Sequence, residues 1–401
     1  MKKVMPMIIS EVQSAFLGGR NILDGILIAN EIVDGWRRSN RKGLVLKLDF
    51  EKAYDSINWE FLFDMLLKFG FGTRWVSWMK ACVSTAKIFV LVNGSPTSEF
   101  CPQRGLHQGD PLSPFLFNIV AEGLNILLSR AKELGLVKGV EVGANGMRIT
   151  HLQFADDTIL FCEADRMEVS NIKRILRCFE ISSGLKINYH KSVICGIGVD
   201  DGLLHEFASS LNCKHQKLPL SYLGLPLGAN PSRRSTWQPV LDKFKQKLAS
   251  WKRRLLCFAG RLTLIKYVLT NLPIYYLSLF RIPVGVAKEI EQMQSAFLWG
   301  GSDLRQKVHM VRWEVLARSK KLGGLGLRRI ITMNQCLLLK WWWRFGAENH
   351  FLWKAVICTK YAARDGRWLP ELMGRGSKIW SGIINAVTSV AELHNFYINN
   401  S

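Results

Sequence analysis

Apolar and polar positions in the first half of the chain predict strands that end on charged residues, with helices between them. A buried strand running directly into Asp49 is predicted by the apolar run Leu44, Val45, Leu46 and Leu48. Apolar residues at helical spacing from Phe61 to Phe69 predict a helix after it. A longer helix is expected from about Ser113 to Leu134, after a turn that contains Gly109.

A third stretch, Ile149 to Cys162, predicts a β-hairpin with two carboxylates at its tip. Apolar and polar residues alternate up to Phe154, and a second apolar run follows the joining residues Ala155-Asp156-Asp157. Taken alone, an aspartate pair in a turn usually bonds its own backbone, and an aspartate at a strand end usually caps a helix. The combination of the hairpin tip with Asp49 and the turn at Gly109 indicates a shared site.

The second half of the chain is predicted to be helical. One face of a helix over residues 233–256 carries the apolar side chains Trp237, Leu241, Phe244, Leu248 and Trp251. The apolar stretch from Leu262 to Phe280 approaches the length of a membrane span. Lys266 and Pro273 lie within it, and a charge near the middle of a span is costly, so buried helices that break near the proline are expected.

Composition and charge narrow the class of protein. The 401 residues are 48% hydrophobic, enough for folded domains, and the formal net charge of +22 favours a polyanionic partner, more commonly nucleic acid than a membrane surface. Residues 231–345 carry +17 of that charge. The nine cysteines are scattered without a CxxC pair, which predicts a reducing compartment and no zinc site. No secretory signal is evident, so an intracellular protein is expected.

The chain resembles the non-LTR (LINE-type) retrotransposon reverse transcriptases of plants in five motifs that occur in order: DFEKAYDSINW, GLHQGDPLSPFLFNIVAEGL, HLQFADDTILF, SGLKINYHKS and LPLSYLGLPLG. Further stretches of similar sequence extend the resemblance over nearly the whole chain. It implies an α+β fold, a reverse transcriptase palm of antiparallel sheet with packed helices. The implied domains are partial fingers at 1–40, the palm at 41–228, a basic, helical, thumb-like region at 229–345, and a C-terminal extension at 346–401, truncated before a cysteine- and histidine-rich region.

The resemblance implies an RNA-directed DNA polymerase that transfers a nucleotide from a dNTP to a primer 3'-hydroxyl with two Mg2+ ions, or with Mn2+ in their place. Clustered carboxylates suit this chemistry because hard divalent cations prefer oxygen ligands and can bind both the attacking and the leaving oxygens. The expected metal ligands are Asp49, Asp156 and Asp157, and Lys191 is the expected general acid for the pyrophosphate. The residues expected to bind nucleotide or template are Phe50, Tyr54, Gln108, Gly109 and Arg20.

The partners implied are an RNA template, a DNA primer and dNTPs, without a membrane. The basic region is expected to hold the duplex through phosphates, by contacts that depend on salt and not on sequence. The residues expected to make these contacts are Lys243, Lys247, Lys252, Arg253 and Arg254. Members of this family insert into genomic DNA, which implies a nuclear location with a cytoplasmic ribonucleoprotein stage.

Two other hypotheses stay open. Family members usually carry an endonuclease and a basic finger segment before the position equivalent to Met1, so this chain is expected to be a fragment with an incomplete nucleotide grip. It would then be a catalytically silent, nucleic-acid-binding retrotransposon remnant. The other hypothesis is a group II intron maturase, which shares the palm but applies its basic thumb to intron RNA and splicing. The stretch FAGRLTLIKYVLTNLPIYY resembles the LINE-type proteins and argues against a maturase.

Overall fold

The architecture is that of a computed structural model, which describes residues 1–143, 146–251, 256–299, 311–361 and 376–388. Up to residue 228 its elements are α1 (Met5–Ile8), α2 (Ile22–Ser39), β1 (Gly43–Leu48), α3 (Trp59–Lys68), α4 (Thr73–Ser84), β2 (Leu91–Val92), β3 (Ser95–Pro96), α5 (Ser113–Glu133), β4 (Val140–Val142), β5 (Met147–Ile149), β6 (His151–Phe154), β7 (Asp157–Glu163), α6 (Arg166–Ser183), β8 (Val193–Ile197), α7 (Asp201–Leu211), β9 (Lys214–His215), β10 (Leu220–Tyr222) and β11 (Leu225–Leu227). Beyond it they are α8 (Arg234–Ser250), α9 (Phe258–Leu264), a π-helical turn (Ile265–Leu269), α10 (Ile274–Leu277), α11 (Val284–Trp299), α12 (Trp313–Leu316), a 3-10 turn (Lys320–Leu322), α13 (Ile330–Ala347), α14 (Leu352–Tyr361) and α15 (Lys378–Thr388).

The chain divides into two compact units. The first unit comprises Met1–Gly228 and His350–Ala362, and the second comprises Ala229–Asn349 and Ala363–Ser401. Helix α14 therefore packs with the first unit, although it lies inside the stretch 346–401 that the sequence grouped as one C-terminal extension. The grouping is corrected at this point because contacts between residues far apart in the chain, which carry no local signal, hold α14 against α2.

The first unit is built around a five-stranded sheet in the order β6-β7-β1-β8-β9. The central strand β1 runs antiparallel to both of its neighbours, and β8 and β9 are parallel. Leu44 lies opposite Cys162 and Leu48 opposite Thr158 in the pairing of β1 with β7. This mixed arrangement of an antiparallel sheet with packed helices is the predicted α+β fold.

Both faces of β1 are covered, which explains why Leu44, Val45 and Leu46 are apolar without alternation. Leu44, Leu46 and Leu48 point into a core that also contains buried side chains of α3, α5 and α6. Val45 lies opposite Phe161, whose ring packs against Trp36 of α2 with ring centroids 6.2 Å apart. A strand buried on both faces has no need of polar alternation. Asp49 therefore directly follows a strand in which Lys47 is the one residue that is not buried.

The second unit is helical in its described residues. The predicted apolar face of α8 is confirmed for Trp237, Leu241, Phe244 and Leu248, which are all buried. The helix ends at Ser250, so Trp251 lies after it and is half-buried, and residues 252–255 lie outside the described residues. The stretch from Leu262 to Phe280 is broken before Pro273 as expected, with α9, a π-helical turn and the short α10 in succession. The expected burial is met in the π-helical turn and α10 but not in α9, which has no buried residue. Among the described residues no helix has both the length and the apolar character needed to cross a membrane.

Candidate active site

The register of β1 with β7 brings the first aspartate to the hairpin tip. Leu48 is paired with Thr158, so Asp49 and Asp157 are the next residues along the two antiparallel strands. Asp157 is half-buried, and its pKa is raised first by burial and then by the negative charges of Asp156 and Asp49, against the opposing effect of Lys47. Three carboxylates that span more than a hundred positions of sequence thus lie within electrostatic reach of one another.

The hairpin tip is as short as the sequence predicted. Phe154 of β6 pairs with Asp157 of β7, which leaves Ala155 and Asp156 as the connecting residues. Ala155 is buried and has φ of +52°, a left-handed conformation that residues with a side chain seldom adopt. Asp156 is exposed, whereas Asp157 begins the buried strand. The two neighbouring carboxylates therefore occupy different environments.

The described residues contain no group of three His, Cys, Asp or Glu side chains arranged to hold a metal ion. The expectation that Asp49, Asp156 and Asp157 converge within metal-bridging distance stays a prediction, which the effect of Asp156 and Asp49 on the pKa of Asp157 supports. Mutual repulsion of three carboxylates opposes such a cluster, and Asp156 is exposed to solvent. The donor chemistry still fits a hard divalent cation, because carboxylate oxygens already raise the pKa of Asp157 and a cation beside them would relieve that repulsion.

Tyr54 lies beside the aspartates and is partly packed into the core. Its ring stacks on Phe117 of α5, with centroids 4.8 Å apart and planes 18° from parallel. Burial raises the pKa of its hydroxyl, and the negative charge of Asp156 raises it further. One edge of Tyr54 is thus held by core packing while its hydroxyl lies in the field of the hairpin tip.

The turn before α5 is tied to the segment that carries Tyr54. The Leu106 N–H donates to Tyr54 O at 2.7 Å, and the Gly105 N–H donates to Ile57 O at 2.8 Å. Gln108 and Gly109 are exposed at the end of this turn, and Gly109 has φ of +96°. The predicted nucleotide-binding pair therefore lies on an exposed turn whose base is fixed to the backbone beneath Tyr54.

Lys191 lies on a turn that is hydrogen-bonded to Asp49 on both sides. The Asn188 N–H donates to Asp49 O at 2.7 Å, and the Asp49 N–H donates to Ser192 Oγ at 3.1 Å. Lys191 itself is exposed. Sequence reasoning missed Asn188 and Ser192, although asparagine and serine spaced four apart after a glycine are typical of a side-chain-stabilised turn.

Two other predicted residues have mainly structural surroundings. Phe50 is half-buried, forms an isolated bridge with Ile187, and meets Phe179 edge-on at 6.4 Å between centroids. The Arg20 guanidinium donates to the backbone oxygens of Ile9, Ser10 and Gln13. Burial lowers the pKa of Arg20. Its observed contacts hold the N-terminal segment, and the expected contact with template or triphosphate stays a prediction.

The basic residues assigned to duplex binding lie on α8 or just after it. Lys243 and Lys247 are exposed, on the side of α8 that its buried face leaves free. Lys252, Arg253 and Arg254 lie outside the described residues. Lys243 and Lys247, the two of these residues that the structure describes, thus form the cationic surface that contacts with phosphates require.

Comparison with known proteins gives one family match and several relatives. The family model for reverse transcriptase (RNA-dependent DNA polymerase) matches residues 1–227. The chain is similar to the transposon TX1 uncharacterized 149 kDa protein of Xenopus laevis, with 26% identity over 82% of this chain and 24% of that protein. It is also similar to the retrovirus-related Pol polyprotein from type-2 retrotransposable element R2DM of Drosophila melanogaster, with 31% identity over 46% of this chain and 17% of that polyprotein.

A third relative is the retrovirus-related Pol polyprotein from type-1 retrotransposable element R2 of Popillia japonica, with 30% identity over 45% of this chain and 25% of that polyprotein. The chain thus spans about a quarter or less of the length of these curated relatives. Among solved structures, apo telomerase from Candida tropicalis shares 12% identity over 97% of this chain and 57% of that one, with a TM-score of 0.40.

Proposed function

We propose that this chain, which belongs to the reverse transcriptase (RNA-dependent DNA polymerase) family, is the RNA-directed DNA polymerase segment of a LINE-type retrotransposon. It copies an RNA template by adding nucleotides from dNTPs to a primer 3'-hydroxyl. The observation that carries the proposal is the strand register that sets Asp49 beside Asp157, with Asp156 at the adjoining tip. We also propose a nuclear location with a cytoplasmic ribonucleoprotein stage.

Each residue of the site has a proposed role that suits its surroundings. Asp49, Asp156 and Asp157 would hold Mg2+, or Mn2+ in its place, and the bound metal would stabilise charge that develops on the reacting oxygens. Lys191 donates a proton to the pyrophosphate that leaves when the 3'-oxygen attacks the α-phosphorus. Tyr54, already stacked on Phe117, supports the sugar of the incoming nucleotide.

The turn at Gln108 and Gly109 supports the nucleotide and template from the exposed side. Gly109 lacks a side chain, and a Cβ built at this position would have no atom within 4 Å, so a ligand can approach the backbone closely. The bond from the Leu106 N–H to Tyr54 O supports this proposal, because it couples the turn to the residue beneath the sugar. Phe50 lies next to Asp49 and contributes backbone to the same wall.

Primer extension on poly(rA)/oligo(dT) with Mg2+ tests the polymerase proposal. Asp156→Asn is expected to lower the extension rate at least about a hundredfold. Losing a metal ligand weakens the stabilisation of charge by the metal and so raises the activation free energy by several kcal/mol. Asp64→Asn is the matched control, because Asp64 is an exposed aspartate on α3 whose side chain is 69% accessible. Equal extension by Asp156→Asn and the parent chain would remove the catalytic assignment.

A catalytically silent nucleic-acid-binding protein is the second candidate. It is favoured by the charge of residues 231–345, which carry +17 of the net charge and would bind nucleic acid without catalysis. Binding of a primer-template duplex should weaken with salt, and replacing Lys243 and Lys247 by alanine should reduce the slope of log affinity against log salt by about 0.9 for each phosphate that is no longer neutralised. Salt-dependent binding without extension by the parent chain would select this second candidate.

A further inference from the structure

The N-terminal segment forms an additional edge on the sheet, beside the strand that leads to the hairpin tip. The Gln153 N–H donates to Val12 O at 2.8 Å, and the Ser14 N–H donates to Gln153 O at 2.9 Å. These bonds form a parallel bridge between Gln13 and Gln153 of β6. Gln13 is fully buried, so its amide lies inside the protein next to the end of β6.

The Gln13 side chain contacts both backbone polar groups of Ala155. Its Oε1 accepts from the Ala155 N–H at 2.9 Å, and its Nε2 donates to Ala155 O at 3.4 Å. The same Oε1 accepts from the Ala15 N–H at 3.0 Å, which fixes the amide in the segment that supplies it. Because Ala155 O belongs to the peptide bond that begins Asp156, Gln13 reaches the backbone of the first carboxylate at the tip.

The backbone conformation of Ala155 needs hydrogen-bond partners from outside the hairpin. Its φ of +52° is one that residues with a Cβ adopt rarely, and it is buried, so its N–H and C=O must find partners within the protein. The Gln13 amide has one acceptor and one donor group in the geometry that this peptide requires. The turn at the hairpin tip is therefore defined by a side chain more than 140 positions earlier in the sequence.

We infer that Gln13 is a positioning residue for nucleotide addition, which holds the turn at Ala155 so that Asp156 and Asp157 face Asp49. The part of this inference that concerns nucleotide addition rests on the proposed polymerase function. Gln13 touches neither metal nor nucleotide in this role. It acts through the backbone of Ala155, and losing its amide would let the turn relax from its left-handed conformation and displace the two carboxylates.

Three variants separate this role from ordinary packing. Gln13→Met keeps the length and volume of the side chain but removes its three hydrogen bonds. Gln13→Asn keeps the amide but is one methylene too short to reach Ala155, and it serves if the methionine variant fails to fold. Ser14→Ala is the matched control, because Ser14 Oγ bonds Gln153 O at 3.2 Å in the same segment without touching the tip.

Each variant is compared with the full parent chain in three kinds of measurement: of the turn, of metal binding and of function. Hydrogen exchange reports the Ala155 amide within the peptide 151–158, electron paramagnetic resonance reports Mn2+ affinity, and primer extension with duplex affinity reports function. For Gln13→Met we expect exchange at the tip to accelerate at least about tenfold, and Mn2+ affinity and kcat each to fall by about tenfold or more. Duplex affinity should stay at the parent value, and Ser14→Ala should resemble the parent in all three measurements.

Two results would overturn the inference. One is unchanged tip exchange and Mn2+ affinity in both Gln13 variants. The other is acceleration of exchange by the same factor throughout the sheet, which would make Gln13 a general stabiliser of the fold. If the parent chain binds Mn2+ but extends no primer, the proposed function fails, while the exchange and Mn2+ measurements still decide whether Gln13 positions the tip.

Discussion

Ser192 is hydrogen-bonded to Asp49, and this bond ties the turn that carries Lys191 to the end of the central strand. The Asp49 N–H donates to Ser192 Oγ at 3.1 Å, and the hydroxyl in turn donates to Asn188 O at 2.9 Å. Ser192 is buried, with 1% of its surface accessible. One hydroxyl therefore satisfies backbone groups of two segments that the proposed reaction needs together.

Ser192→Ala should destabilise the first unit and lower primer extension. Removing the hydroxyl leaves the half-buried Asp49 N–H without this acceptor, which costs about 1 to 3 kcal/mol. Chemical denaturation measures the change. Ser182→Ala is the control, because the Ser182 hydroxyl donates to Cys178 O on an exposed helical turn. Equal denaturation midpoints for the two variants would mean that the bond to Asp49 contributes nothing to stability.

Asp157→Asn should make the protein more stable at neutral pH while it abolishes extension. The pKa of Asp157 is raised above its ordinary value of 3.8, chiefly by burial and secondarily by Asp156 and Asp49. The folded state then holds the proton more tightly than the unfolded state, so stability falls as pH rises from the unfolded pKa through the folded one. The amide removes that loss.

Thermal unfolding of Asp157→Asn and the parent from about pH 3 to about pH 7 tests this prediction. The advantage of the variant should be absent at the acidic end and should grow as pH rises, then level off. Adding Mg2+ should stabilise the parent more than the variant, since only the parent has the Asp157 carboxylate as a metal ligand. An advantage independent of pH would show that the substitution acts through something other than the Asp157 charge.

Lys360→Met should strongly destabilise the first unit. The Lys360 ammonium lies 2.6 Å from Glu31 Oε2 and 3.0 Å from Asp34 Oδ2, and Glu31 is fully buried. Removing one partner of a buried ion pair costs about 3 to 5 kcal/mol of stability, because the Glu31 carboxylate would stay in the low-dielectric interior without its counter-charge. Urea unfolding followed by tryptophan fluorescence measures the loss.

Lys68→Met is the matched substitution at an exposed pair with Asp64, where the two side chains are 75% and 69% accessible. It should change the free energy of unfolding by no more than about 1 kcal/mol. Similar losses for Lys360→Met and Lys68→Met would contradict the view that Lys360 holds α14 to α2. A large loss confined to Lys360→Met would support it.

Gly105→Ala should be more damaging than Gly109→Ala, although both glycines have positive φ. A Cβ at Gly105 would lie 2.6 Å from Asp55 O, whereas a Cβ at Gly109 would meet no atom within 4 Å. We expect Gly109→Ala to cost about 1 to 2 kcal/mol from backbone strain, and Gly105→Ala to cost about 1 to 3 kcal/mol more because the segment behind Tyr54 must move. Thermal denaturation ranks the two variants, and the reverse order would contradict the close approach of backbones at Gly105.

The elements of the candidate site were predictable where the sequence pattern is local. The apolar run of β1, the hairpin tipped by Asp156 and Asp157, and the helix α5 that begins at Ser113 follow from residue spacing over short windows. Their association was predicted from the family resemblance, since no periodicity in the sequence relates Asp49 to Asp157. The convergence of the three carboxylates into a metal-binding group was predicted from the same resemblance and stays a prediction.

By itself, the sequence determined the strand β1, the helices α3, α5 and α8, the hairpin of β6 and β7, where the aspartates lie on these elements, and that the second half is basic. Only the tertiary structure decided what holds the site in place: the Gln13 amide on Ala155, the Ser192 hydroxyl on Asp49, and α14 against Glu31. Periodic burial leaves a repeating trace in the sequence because every turn or alternate residue meets the same core. A hydrogen bond between one side chain and a distant backbone leaves no such trace, because its partner is chosen by the folded geometry alone.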